Sequence, residues 1–154
     1  MKHAFGFFLL ILFCGIADAA LPIQSWTSKT GAKGLFVEAR SIPMIDVSID
    51  FDAGARHDPI DKSGVSALTQ ALLPLGASGL TEQQIADRLA DAGAQRGGNA
   101  DQDRAGISVR SLASAAEREL VISTLAAILS SPQFPEAVLE REKSRRIAAI
   151  KEGE

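Results

Sequence analysis

Between residues 44 and 75 the apolar side chains change spacing from every second residue to every third or fourth. That switch restricts the chain to folds in which a strand hands over to a helix. Ile45, Val47, Ile49, Phe51 and Ala53 alternate with Asp46, Ser48, Asp50 and Asp52, the period of a strand with one buried and one wet face. Val65, Leu68, Leu72 and Leu75 then form one helical stripe, with Ala67, Gln70 and Ala71 on a neighbouring face. Pro74 lacks an N–H and its ring crowds the carbonyl of Gln70, so this helix should kink or stop there.

The same two periods organise the rest of the chain. A lead-in around Gln24, Ser25 and Trp26 precedes a short strand over Leu35 to Ala39, and Pro43 favours a connection before the alternating strand. A second helix opens at Thr81 with Gln84 in the capping-box position, faces inward with Ile85, Leu89 and Ala92, and ends at Gly93. Gly97 to Ala100 and the alternating Ile107 and Val109 predict two strands joined by the polar turn 101–104. A third helix starts at Ser114 with Glu117 in a capping-box position, buries Leu120, Val121, Leu125, Ile128 and Leu129, and stops at Ser131-Pro132. Pro135 then precedes a fourth helix from Glu136 to Lys151, with Glu142 and Arg146 paired one turn apart. Two strands, two helices, two strands and two helices predict an α+β fold, an antiparallel sheet with helices packed on one face.

Met1-Lys2-His3, the apolar run from Ala4 to Ile16 and the small-x-small step Ala17-Asp18-Ala19 have the form of a secretory signal peptide over 1–19. The run is too short to span a bilayer, and Phe13 before Cys14 is the wrong residue for a lipid anchor. The expected product is 20–154, exported to the periplasm or secreted, without cysteine and with His57 as its one histidine. A formal net charge of -3 with both signs interspersed leaves no basic patch, which argues against nucleic acid. After cleavage nothing ties the chain to a membrane. The fourth helix meets no stop signal before Glu154, which suggests a module incomplete at its C-terminus.

Several spaced positions resemble the N-terminal module of the pitrilysin, insulysin and mitochondrial-processing-peptidase metallopeptidases. They are Gly54-Ala55-Arg56-His57-Asp58 at the end of a strand, Lys62-Ser63-Gly64 entering a helix, the strand containing Asn99-Ala100, and the run from Pro132 to Arg141. The resemblance implies a pitrilysin-like half module. It also implies a zinc site of the inverted H-x-x-E-H type on the first helix, completed by a glutamate from a later helix. The matching positions here are Ala67, Gln70, Ala71 and Ala149, with Glu142 and Glu152 close enough to supply a carboxylate in a shifted register. Methyl groups cannot ligate a metal, and an amide cannot serve as a base near neutrality. Close packing explains Ala67 and Ala71 equally well.

The expectation is therefore a non-catalytic homologue that binds no cofactor of its own. The resemblance implies a zinc-bearing homologous peptidase subunit as partner and a peptide as the shared substrate. Gly97, Gly98, Asn99 and Ala100 would form the edge that takes that peptide as an added strand. A loosely twisted edge with a glycine bulge accounts for them too, and Arg96 and Arg104 beside them are charged neighbours or ordinary surface residues. The alternatives are an active peptidase with a relocated metal site, or a truncated fragment without function. His57 with Asp58 and Asp61 could form an oxygen and nitrogen site, although a solvated loop explains them better. Asp50 and Asp52 read as a wet strand face, and Ser63, Ser66 and Thr69 lack a base to activate them.

Overall fold

The alternating segment forms β3, Met44–Phe51, which pairs antiparallel with β7, Ala105–Leu112, in the register Val47↔Val109 and Ile49↔Ile107. β6, Gln95–Ala100, pairs on the other side of β7, giving the order β3-β7-β6. In this computed structural model the described residues are 22–153, so the signal-peptide reading and its cleavage after Ala19 lie outside them. The chain divides into two compact units, Met1–Ile42 and Pro43–Glu154.

In the first unit, β1, Ile23–Thr27, pairs with β2, Lys33–Val37, as an antiparallel hairpin. The lead-in expected around Gln24 to Trp26 is thus a strand, and the expected strand Leu35 to Ala39 sits two residues earlier. The reason is the turn. Gly31 takes φ +89 and Ser28 closes it by bonding Ala32, which fixes the register. The indole of Trp26 lies over its cross-strand partner Gly34, where a Cβ would collide with the ring.

In the second unit, α1, Val65–Leu72, runs into a 3-10 turn at Leu73–Leu75, as Pro74 requires. A two-residue hairpin follows, β4 (Gly76–Ala77) and β5 (Leu80–Thr81), turned by Ser78 and Gly79 at φ 50 and φ 78. α2, Glu82–Asp91, begins with the expected capping box between Thr81 and Gln84, and Gly93 beyond its end takes φ 58. α3, Ala115–Ser130, and α4, Glu136–Glu152, complete the chain. The capping box expected at α3 does not form: the Ser114 side chain makes no cap bond, and Glu117 Oε2 is buried with no partner among the described residues.

One face of the sheet carries the core. Ile107 and Val109 of β7 pack with Ile85, Leu89 and Ala92 from α2 and its end, and with Val121, Leu125 and Ile128 from α3. Leu120 and Leu129 are partly buried beside them. Each fully buried aliphatic side chain contributes roughly 1.5–3 kcal/mol. Ser111, buried on the same face, donates its hydroxyl to the Ala92 carbonyl at 3.0 Å. The opposite face is polar, and Arg110 makes a two-pronged bond to Asp46 at 2.7 and 3.0 Å.

At one end of the sheet two turns are stitched together. The amides of Gly54, Ala55 and Arg56 donate to the carbonyls of Asp103, Asp101 and Gln102. A side chain at 54 would strike the backbone of residues 102–104, so glycine is what lets the turns meet.

Candidate functional site

α1 is placed by polar bonds from distant parts of the chain. At its start Gly64 takes φ +97, a left-handed conformation that suits glycine. The carboxylate of Asp58 accepts the Ser66 amide at 2.9 Å, the Gly64 amide at 2.8 Å and the Ser66 hydroxyl at 3.3 Å. The Ser66 amide above all, together with the Gly64 amide, holds the Asp58 carboxyl below the usual carboxylate range. It satisfies two of the free N–H groups at a helix start.

Further along α1, the Gln70 amide nitrogen donates to the Gly106 carbonyl of β7 at 3.2 Å. It lies over Gly98 of β6, where a Cβ would collide with Nε2 and come within 2.6 Å of the Gly106 oxygen. Ala67 and Ala71 are half-buried on the same helix. The Ala67 carbonyl accepts a 2.8 Å bond from Arg146 Nη2, a bridge to α4 across 79 residues. Sequence reasoning paired Arg146 with Glu142 and missed its bond to α1. It also missed Asp58 as the cap of α1, and no local pattern announces either.

Ala149 lies on α4, whereas Ala67, Gln70 and Ala71 lie on α1. Ala149 is exposed and lines a groove of about 550 Å³ with Val65, Leu68, Ile147 and Ile150, which Ala67, Gln70 and Ala71 do not line. The neighbouring carboxylate is already engaged. Glu142 is 4% exposed and is held by Arg141 at 3.1 Å and Arg145 at 2.5 Å. The expected Glu142–Arg146 pair is therefore absent: Arg146 turns to α1, and the guanidiniums at positions 141 and 145 take its place. Three methyl groups and an amide committed to Gly106 make a donor set that does not fit zinc.

The other candidate groups separate in space. His57 Nε2 lies 3.2 Å from Asp52 and 3.1 Å from Arg56 Nε, and Arg56 also bridges to Asp52 and Asp103. The ring nitrogen can accept from Arg56 or, when protonated, donate to Asp52, but it cannot do both. The bond from His57 first, then the charge of Arg56, holds Asp52 below the usual carboxylate range. Asp58 faces the start of α1 instead, so His57, Asp58 and Asp61 do not converge. Among the described residues no three His, Cys, Asp or Glu side chains cluster as a metal would need. Ser66 is taken up by Asp58, and Asp50 accepts from Ser48 at 3.3 Å on the wet face.

Gly97, Gly98, Asn99 and Ala100 all lie on β6, which is hydrogen-bonded to β7 on one side and is an edge of the three-stranded sheet among the described residues. Gly98 is covered on its inner side by Gln70, and Gly97 lies over Ser108. The edge itself is exposed along most of its length.

This arrangement has relatives. A crystal structure of a peptidase M16 inactive domain from Pseudomonas fluorescens is 37% identical, with a TM-score of 0.81 over 85% of this chain and 32% of that one. The crystal structure of a protease from Helicobacter pylori is 17% identical, with a TM-score of 0.73 over 86% of this chain and 31% of its own, a likeness of fold. The chain thus spans about a third of the length of either structure. No curated protein matches it. The model of the insulinase family, peptidase family M16, matches residues 36–154, and the chain belongs to that family.

Proposed function

We propose that this chain is a non-catalytic M16 module that serves an active, zinc-bearing homologous subunit as a structural and peptide-contacting partner. The observation that carries the reading is α1, the helix matching the family's metal-binding helix, which presents Ala67, Gln70 and Ala71 with the amide tied to the Gly106 carbonyl. The crystal structure from Pseudomonas fluorescens, an M16 inactive domain, supports it. In this reading β6 offers Gly97, Gly98, Asn99 and Ala100 as an edge along which an extended peptide adds as a further strand, main chain to main chain. The module holds no zinc of its own and works after export, in the periplasm or outside the cell.

The test is elemental analysis together with a peptidase assay. The purified chain should carry substoichiometric zinc and hydrolyse no peptide alone, and should raise hydrolysis when mixed with a zinc-bearing homologue from the same source. Stoichiometric zinc with chelator-sensitive hydrolysis by the chain alone overturns the proposal.

A further inference from the structure

The groove between α1 and α4 has a chemistry that the peptide-edge reading does not use. Its apolar lining comes from Val65 and Leu68 on one helix and Ile147 and Ile150 on the other. Val65, Ile147 and Ile150 are 44%, 50% and 64% exposed, so an occupant would remove substantial apolar area from water. Among the described residues the charged groups lining it are Lys62, Lys143 and Arg146, with no acid, in a chain of formal net charge -3. Along α4 the lining residues Lys143, Arg146, Ile147 and Ile150 fall three or four apart, one continuous stripe. Lys143 is met by Glu140 at 2.8 Å, whereas the buried Nε of Arg146 has no acceptor among the described residues.

We propose that this groove docks an amphipathic helix of a protein partner, one with aliphatic residues on one face and aspartates or glutamates beside them. Two helices presenting parallel stripes leave a furrow into which the ridge of a third can settle, and the cations at its side select for acid. A second copy of this chain is a poor occupant, because two-fold pairing of the same patch would bring Lys62, Lys143 and Arg146 against their own equivalents. The proposal concerns this groove alone and stands whether or not the chain assists a peptidase.

Fluorescence anisotropy on the full chain tests it, with a labelled synthetic helix of about four turns bearing leucines at i, i+3, i+4 and i+7 flanked by glutamates. A second probe has lysine for every glutamate. The glutamate probe should bind about tenfold or more tightly than the lysine probe. Ile150→Glu should weaken it by a similar factor, and Lys62→Glu should weaken the glutamate probe while improving the lysine probe. Both positions are exposed, and an unchanged melting midpoint verifies each variant's fold. Equal binding of the two probes, or indifference to Ile150→Glu, overturns the proposal. So does a concentration-dependent dimer in sedimentation that Ile150→Glu dissolves, since the groove would then belong to a second copy.

Discussion

α1 and α3 are held in opposite ways. α3 spans Ala115–Ser130 and buries Val121, Thr124, Leu125 and Ile128, whereas α1 spans Val65–Leu72 and buries Leu72 alone. What α1 lacks in burial it gains from three remote polar partners: Asp58 at its start, Gly106 under Gln70, and Arg146 on the Ala67 carbonyl. Burial is non-directional and tolerates exchange of one aliphatic residue for another. Hydrogen bonds fix a helix at one rotation and one height. The comparison teaches that α1 owes its orientation to directional bonds, where α3 owes its place to burial.

The widest test of this contrast is Ile128→Ala, which removes a fully buried side chain from α3 and should cost about 2–5 kcal/mol in urea unfolding. If a matching truncation of half-buried Leu68 on α1 costs as much, the contrast fails. Gly98→Ala should come next, at roughly 1–3 kcal/mol, because the new methyl meets both Gln70 and the Gly106 carbonyl. Adding Gln70→Ala relieves only the side-chain clash, so a double-mutant cycle should show partial recovery, and full additivity would place Gln70 elsewhere.

Arg146→Met keeps the aliphatic stem and deletes the bond to Ala67, for an expected loss of about 1 kcal/mol. Amide exchange should quicken in α1 and remain unchanged in α3. The smallest effect concerns pH. The carboxyl of Asp58 is depressed in the folded chain, so its contribution is complete above the unfolded value of about 3.9 and fades as pH falls through the folded value below it. Asp46, Asp52 and Asp101 are depressed as well, so the measurement is a difference. Melting midpoints of wild type and Asp58→Asn should converge below about pH 4, and parallel curves would remove Asp58 from the account.

Interactions that close within one turn of chain were legible in the sequence. The Thr81 and Gln84 capping box, the alternation of β3 and the stop at Pro74 follow from bond geometry alone. Ser114 with Glu117 has a similar spelling and does not cap, because the pattern permits the bond without enforcing it. Glu142 and Arg146 had the right spacing for a pair, yet Arg141 and Arg145 hold Glu142, and Arg146 reaches the Ala67 carbonyl that only tertiary packing brings near. β4 and β5 are two residues each, too short to show any period. At the candidate site, the absence of ligating side chains at positions 67, 70, 71 and 149 could be read directly. The groove that Ala149 lines could not, since it depends on how α4 lies against α1.

The stitched turns at Gly54 have a consequence for survival among digestive enzymes. Arg104 stands exposed at a loop tip, the kind of place where a trypsin-like cutter first nicks a chain. Cleavage demands a stretch of backbone free to unravel into the attacker's cleft. The carbonyls just before Arg104 are instead claimed by residues 54–56, so the bait is displayed while the slack needed to bite is withheld.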